Sequence, residues 1–146
     1  MNNDRSNAYR EIAVQTSSPT RLVVMLYEGA IRFLRESVVA IESTDLNAKR
    51  QSIDRAVAVV QHLQSTLDLE RGGAVALDLA RLYDYITSRI LDGSSKLETA
   101  PLEEAIKLLK VLLARWEEVA ERERNNPVPG PLLAQPGGSG GFKLHA

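Results

Sequence analysis

Residues 16–34 read Thr-Ser-Ser-Pro-Thr-Arg-Leu-Val-Val-Met-Leu-Tyr-Glu-Gly-Ala-Ile-Arg-Phe-Leu, and this stretch decides the fold. It begins with a helix start, because the Ser18 side chain can cap a helix and Pro19 suits the first helical position. A helix that faces a single core shows an apolar stripe of about 100°. This helix is apolar over most of its circumference, so it lies at the centre of the fold or keeps one side for a partner. Its apolar residues are Leu22, Val23, Val24, Met25, Leu26, Tyr27, Ala30, Ile31, Phe33 and Leu34.

Length and composition narrow the class of protein. The 146 residues suit one domain with its own core, and the formal net charge of −1 gives no basic field for nucleic acid. The chain has no cysteine, which excludes a disulfide framework and a thiolate metal site and agrees with a reducing cytosol. The polar start, Met-Asn-Asn-Asp-Arg, lacks a signal-peptide core, and no stretch approaches the roughly 18 apolar residues of a membrane span. We therefore expect a cytoplasmic protein with no nucleic-acid or membrane partner.

Glycine and proline divide the chain into a helical domain and two flanking segments. Before residue 125 these residues fall at element boundaries, with Gly29 as the exception. Asp45 is expected to cap the second helix, and Gly72-Gly73 and Gly93 are expected to end the second and third helices. The sequence predicts an all-α, antiparallel up-down four-helix bundle, because short loops make consecutive helices antiparallel neighbours. The expected helices cover residues 19–41, 47–70, 74–91 and 99 or 100 onward.

Two segments are expected to lie outside this bundle, which should span residues 18–124. Residues 1–17 are expected to form a short, flexible N-terminal arm, which is polar but carries Tyr9 and Ile12. Residues 125–146 are rich in proline and glycine and are expected to be disordered. Four apolar side chains of this tail can still dock locally: Leu132, Leu133, Phe142 and Leu144.

Helical periodicity assigns a buried face to each helix. Tyr83 and Tyr85 are two residues apart and cannot share a face, so Tyr85 is expected to point away from the core. Trp116 is expected to anchor the fourth helix in the core. A glycine inside a helix costs about 1 kcal/mol relative to alanine, so Gly29 indicates close helix packing or a partner backbone that crosses there. The third helix is expected to bury Val75, Leu79, Leu82, Tyr83, Ile86 and Ile90.

The ionisable residues show no catalytic or metal-binding motif. Val59 stands three residues before His62, so the Glu-x-x-His pattern of a di-iron bundle is absent. Only His145 remains, which leaves too few ligands for a histidine metal site. No Lys-Ser or Lys-Thr pair follows Gly72-Gly73, so no phosphate-binding loop is indicated. We expect His62 to be structural, and we expect neither enzyme activity nor a cofactor.

The run Ser18-Pro19 followed by Leu22 to Leu34 resembles the signature of the flagellar secretion chaperone FliS family. Three further blocks are similar to the family's sequence and stand in the same order: 67–73, 82–86 and 112–118 with Trp116. The resemblance covers about residues 8–120. The loop at residues 92–96 and the long Gly/Pro-rich tail depart from the family's pattern.

This resemblance implies an export chaperone. Members of that family bind flagellin in the bacterial cytosol before export, so the expected partner is the carboxy-terminal segment of flagellin, held in an apolar groove. A monomer with one client is expected, and the flagellar export machinery is a further candidate partner. The residues that we carry over to the groove are Tyr9, Ile12, Met25, Tyr27, Ile31, Val57, Val60 and Tyr85.

Two other classes of protein stay open. A histidine phosphotransfer bundle would use an exposed His62, although the following Leu63-Gln64-Ser65 supplies no cation in the next turn. A homo-oligomeric structural bundle would bury the surplus apolar surface between copies of the chain.

Overall fold

Four α-helices make up the described part of the chain, residues 18–125 of a computed structural model. Their connections are two or three residues long, so consecutive helices are antiparallel. α1 and α3 each pack against both α2 and α4, which closes the bundle into a square with α1 and α3 on one diagonal. The predicted all-α, up-down four-helix bundle is confirmed. The helices are α1 (Pro19–Glu42), α2 (Leu46–Ser65), α3 (Leu69–Lys96) and α4 (Thr99–Asn125).

The flanking segments of the sequence prediction lie outside the described residues. This holds for the arm at residues 1–17, with its candidate site residues Tyr9 and Ile12, and for the tail from residue 126 onward. Asn125, which the prediction placed in the tail, is the last residue of α4.

The predicted helix starts are confirmed at two caps. The Ser18 hydroxyl accepts a hydrogen bond from the Arg21 N–H at 3.3 Å, and Pro19 occupies the first turn of α1. The Asp45 carboxylate accepts from the Ala48 N–H at 3.1 Å and so caps α2. Each side chain satisfies a backbone donor that has no partner inside its helix.

The predicted boundary between the second and third helices is wrong. α2 ends at Ser65, where the Thr66 hydroxyl donates to the Leu63 carbonyl at 2.7 Å. Asp68 then caps α3 by accepting from the Arg71 N–H at 3.0 Å. Gly73 lies inside α3, where its φ of 58° and ψ of −135° produce a kink. Only glycine adopts this backbone region without strain.

The prediction that Gly93 ends a helix is also wrong. Gly93 is buried inside α3, which continues to Lys96. A Cβ atom on Gly93 would lie 2.9 Å from the Glu98 carbonyl oxygen and 3.0 Å from Cγ of Leu102, so this glycine allows the start of α4 to pack closely. The helix instead ends at Leu97, whose φ of 55° and ψ of 43° are left-handed.

The core lies around α1. Thirteen of its 24 residues are buried, so the first of the two alternatives for this apolar helix is confirmed. Trp116 is 5% exposed, as expected of a core anchor. The expected buried face of α3 is wrong in part, because Val75 is 59% exposed and Leu79 and Leu82 are only partly buried. α3 therefore reaches the core mainly through Tyr83, Ile86 and Ile90.

Candidate functional site

The six described residues of the predicted groove do not share one surface. Tyr27 and Val60 are fully buried, so a partner could touch them only after the bundle opened. Their contact with a client stays a prediction, and in this structure they are core residues. Of the other four, Ile31 and Val57 are also buried, at 4% and 8% exposure, whereas Met25 is partly buried and Tyr85 is 45% exposed.

A hydroxyl pair joins the two helices of the bundle diagonal. Oη of Tyr27 on α1 and Oη of Tyr83 on α3 are 2.6 Å apart. Burial raises the pKa of both hydroxyls, that of Tyr83 to about 12, and the Trp116 indole acts in the opposite direction on both. Two neutral hydroxyls that satisfy each other in the core form a structural link between helices.

An apolar stripe runs along the junction of α3 and α4. Glu104 on α4 bonds to Tyr85 and Arg89 on α3. Leu108 and Val111 follow Glu104 by four and seven residues and so lie on the same face of α4. Val75 and Val111 are 59% and 58% exposed, and the rest of the stripe is partly buried against the core. We name the stripe the α3–α4 seam, and it consists of Val75, Leu79, Leu82, Leu108, Val111 and Leu112.

Polar side chains close one end of the α3–α4 seam. Tyr85 Oη donates to Glu104 Oε2 at 2.6 Å, and Arg89 Nε donates to Glu104 Oε1 at 2.7 Å. Arg89 also donates to Asp92 at 3.0 Å. The hydrogen bonds from Tyr85 and Arg89 lower the pKa of the Glu104 carboxyl. By the same spacing, apolar side chains continue from Leu82 and Leu108 toward the other end of the bundle, with the exposed Asp78 and Arg115 among them.

The neighbouring junction of α2 and α3 is bridged by hydrogen bonds. Gln64 Nε2 donates to Asp84 Oδ1 at 3.1 Å and to the Ala80 carbonyl at 3.3 Å. Lys49 Nζ donates to the carbonyl and the hydroxyl of Ser94. These contacts tie α3 to α2 on one side and leave the α3–α4 seam as its more apolar side.

The outer face of α1 differs from the seam. Val39 is 62% exposed, but charged side chains surround it in an open groove. An isolated exposed apolar residue is ordinary on a protein surface, whereas a contiguous apolar stripe indicates a binding surface. The groove is lined by Glu28, Arg32, Arg35, Glu36 and Val39.

His62 and the other titratable groups give no sign of metal chemistry. His62 is partly buried, and desolvation lowers its pKa. Across residues 18–125, no three or more His, Cys, Asp or Glu side chains come together as a possible metal cage. Of the four described helices, none combines the length and the apolar character that crossing a membrane requires.

Sequence reasoning missed the α3–α4 seam for an identifiable reason. It assigned Val75, Leu79 and Leu82 to the core and did not select Leu108 or Val111. The spacing from residue 104 to 108 to 111 gives α4 a second apolar stripe beside its core stripe. That spacing was the available signal, but periodicity alone does not tell which of two adjacent stripes faces solvent.

Known proteins are similar in sequence to this chain over nearly all of the described helices. Residues 1–123 match the family described as flagellar protein FliS. A protein of Campylobacter jejuni is 34% identical over 122 residues, which cover 84% of this chain and 95% of the relative. A protein of Salmonella typhimurium is 31% identical over 113 residues (77% and 84%), and one of Bacillus subtilis is 29% identical over 119 residues (82% and 88%). All three relatives are named flagellar secretion chaperone FliS.

Proposed function

The chain belongs to the FliS family of flagellar secretion chaperones, and on that premise we propose that it binds the carboxy-terminal segment of flagellin in the cytoplasm and keeps it ready for type III export. The observation that carries the proposal is the α3–α4 seam, where Val75 and Val111 leave more than half of their side chains exposed. A chaperone needs such a surface while its client is absent. The work is done by equilibrium binding, without catalysis or a cofactor.

The seam suits an amphipathic client segment. A helix that lies in an apolar groove presents residues at spacings of three and four, which match the spacing of the seam on both α3 and α4. The flagellin segment packs against other subunits in the filament, so its apolar face is a polymerisation surface. Covering that face with Val75, Val111 and their neighbours prevents premature assembly.

The energy of such a contact is sufficient. Burying one exposed valine or leucine side chain completely contributes about 1.5–3 kcal/mol. Ordering a client segment costs about 2–5 kcal/mol or more of the gross interaction energy. Four partly buried leucines and two exposed valines can offset that cost and still leave an affinity that permits release. We infer a monomer that binds one client, with the export machinery as a later partner.

The remaining groove residues of the sequence prediction belong to the same proposal. Tyr85 lies at the polar end of the seam, where its hydroxyl already bonds to Glu104 and can also accept from a client. Met25, Ile31 and Val57 are proposed as secondary contacts on the α1 and α2 side of the bundle. Tyr27 and Val60 would act from within, by fixing how α1 and α2 pack.

Calorimetric titration of the full chain with a carboxy-terminal flagellin fragment from the same organism tests the function. One-to-one binding with a large negative heat-capacity change is expected, because an apolar surface is buried and the client becomes ordered. Failure to bind any flagellin of that organism contradicts the proposal.

A pair of matched variants tests the location. Val111→Asp and Val39→Asp each place a carboxylate at an exposed valine of a helix, at 58% and 62% exposure. Val111→Asp is expected to weaken flagellin binding at least tenfold, about 1.4 kcal/mol, whereas Val39→Asp leaves it unchanged. Equal effects of the two variants would remove the seam from the binding surface.

A further inference from the structure

A series of polar contacts runs along α3 beside the first half of α4. Four residues follow one another at spacings of four, three and four and so share one face of α3: Tyr85, Arg89, Asp92 and Lys96. Glu104 of α4 accepts from Tyr85 at 2.6 Å and from Arg89 at 2.7 Å, with one bond at each carboxylate oxygen. Asp92 likewise accepts from Arg89 at 3.0 Å and pairs with Lys96 at 3.3 Å through its other oxygen. We name these five residues the polar ladder, and its two cations and two carboxylates leave no net charge.

The polar ladder fixes the direction of the hydrogen bond at Tyr85. The bonds from Tyr85 and Arg89 hold the pKa of the Glu104 carboxyl below its usual value, so this carboxyl is ionised at neutral pH. An ionised carboxylate only accepts hydrogen bonds. The single hydroxyl hydrogen of Tyr85 is therefore committed to Glu104, and the Tyr85 oxygen keeps only the capacity to accept.

This acceptor lies at the polar end of the α3–α4 seam. Tyr85 is exposed, and no residue between 18 and 125 donates a hydrogen bond to its oxygen. In the core pair of Tyr27 and Tyr83, by contrast, either hydroxyl can be the donor, and the two satisfy each other. Water can satisfy the Tyr85 oxygen only until a bound client covers the ring.

We propose that Glu104 is a positioning residue and that it makes Tyr85 select a hydrogen-bond donor on the client, an inference that rests on the proposed function. A client that covers Tyr85 removes water from its oxygen, and a buried polar atom without a partner costs free energy. The backbone N–H groups of a helical client are bonded within its own helix, so the donor is a side-chain amide, hydroxyl or cation. A client carboxylate would meet an acceptor beside the ionised Glu104 and is excluded from this position.

Titration of Glu104, followed by NMR of its carboxyl carbon, tests the polar ladder without a client. Tyr85→Phe keeps the ring but removes the hydrogen bond that contributes most to the lowered pKa of Glu104. The pKa of Glu104 is therefore expected to rise toward its usual value in this variant. An unchanged titration means that Glu104 does not hold the Tyr85 hydroxyl in solution, and it overturns the proposal.

Calorimetry of the full chain with the carboxy-terminal flagellin fragment tests the effect on binding. Tyr85→Phe removes the acceptor and is expected to weaken binding about threefold to tenfold. Glu104→Gln is expected to have a similar effect, because the glutamine amide can donate to the Tyr85 oxygen and occupy it. The double variant is expected to bind no more weakly than Tyr85→Phe, since Glu104 acts through the hydroxyl. Losses that add in the double variant overturn the positioning role.

Glu121→Gln is the matched control. It removes the carboxylate of the exposed Arg124–Glu121 ion pair, which lies elsewhere on α4, and it is expected to leave flagellin binding unchanged. Equal weakening by Glu121→Gln and Glu104→Gln would indicate a general effect of charge on α4 and would overturn the proposal.

Alanine substitutions through the flagellin fragment identify the selected group. Each substituted fragment is titrated against the unaltered chain and against Tyr85→Phe, and coupling to Tyr85 is expected at a side chain that donates a hydrogen bond. Coupling at an aspartate or glutamate, or at no side chain, overturns the selection. If the fragment binds the unaltered chain and Tyr85→Phe equally, the proposal fails and the chaperone function stands. If no flagellin binds the unaltered chain, the proposed function fails and the selection at Tyr85 fails with it.

Discussion

α1 and α3 face each other across the bundle diagonal but use their apolar residues differently. α1 buries 13 of its 24 residues, whereas α3 buries five of its 28. α1 is held between α2 and α4 by its wide apolar arc. α3 reaches the core through three large side chains and leaves other apolar side chains exposed: Leu69, Val75, Leu77, Tyr85 and Leu91.

This difference separates the residues that stabilise the bundle from the residues that are available to a partner. Substitutions in α1 are expected to change the free energy of unfolding, and substitutions on the outer part of α3 are expected to change binding. The architecture of a four-helix bundle gives no reason for α3 to be so exposed, whereas the client that we propose would account for it. Substitutions in the two helices test this contrast, and substitutions at the Tyr27–Tyr83 pair test the link between them.

Truncation of a leucine gives the largest expected contrast. Leu34 in α1 is fully buried, so Leu34→Ala is expected to lower the free energy of unfolding by about 2–5 kcal/mol, through lost burial and a cavity. Leu77 in α3 is 44% exposed, and Leu77→Ala is expected to change the free energy of unfolding by less than about 0.5 kcal/mol. Urea denaturation of both variants measures the two values. Similar costs would mean that α3 is integrated into the core as deeply as α1.

High pH acts on the point where the two helices meet. Burial raises the pKa of Tyr83 from 10.0 to about 12. Between pH 10 and pH 12 the Tyr83 hydroxyl loses its proton in the unfolded chain but keeps it in the folded chain. The free energy of unfolding is therefore unaffected by this hydroxyl below pH 10 and falls as the pH rises toward 12. A shift of two pKa units corresponds to about 2.7 kcal/mol, and the raised pKa of Tyr27 acts in the same direction.

Denaturation at pH 9 and pH 11 measures about half of this loss for Tyr83, because pH 11 lies midway between the two pKa values. A Tyr27→Phe/Tyr83→Phe variant is the control, since it has no hydroxyl to ionise at the diagonal and is expected to lose less stability over the same interval. An identical loss in both proteins would place the alkaline effect elsewhere in the chain.

Removal of one hydroxyl at neutral pH has a somewhat smaller effect. Tyr27→Phe or Tyr83→Phe leaves the other hydroxyl buried without its 2.6 Å partner, which costs about 1–3 kcal/mol. The double variant is expected to cost less than the sum, because no unsatisfied hydroxyl remains. A double-mutant cycle by urea denaturation measures the coupling. Strict additivity would show that the pair does not link α1 to α3.

Much of the fold could be predicted because its signals are local. Ser18 and Asp45 are caps, and the apolar arc of residues 22–34 marks the central helix. The two-residue spacing of Tyr83 and Tyr85 separated a core tyrosine, 1% exposed, from a surface tyrosine, 45% exposed. Each of these inferences needs only the geometry of one helix.

One error in the helix boundaries is local and the other is tertiary. Asp68 and Gly72-Gly73 offer competing boundaries, and the capping bond to Arg71 decided between them. Gly93 reads as a helix end in the sequence but serves the close approach of Leu102.

The candidate site was harder to predict for the same reason. The apolar residues of α1 and α2 suggested the groove, yet Tyr27 and Val60 are fully buried. Periodicity shows that a helix has an apolar face but not how far the neighbouring helices cover it. α3 could be identified as the partly uncovered helix only from its packing.

A substitution at the C-terminal end of α3 is expected to have the smallest effect on stability. It tests the contrast with α1 by asking whether a residue of α3 can be truncated with a gain in stability. Leu97 ends the helix in the left-handed region, which costs a residue with a Cβ atom about 1–2 kcal/mol. It is 46% exposed, so little burial is lost on truncation. Leu97→Gly is expected to raise the free energy of unfolding by about 0.5–1 kcal/mol, after the extra freedom of glycine in the unfolded chain is subtracted. Leu91→Gly is the matched control at 50% exposure inside α3, and it is expected to lower stability by about 1 kcal/mol. Urea denaturation measures both values. If both variants lose stability, the contacts of the Leu97 side chain stabilise the fold by more than its left-handed backbone costs. The C-terminal end of α3 would then be packed more firmly than its exposure indicates.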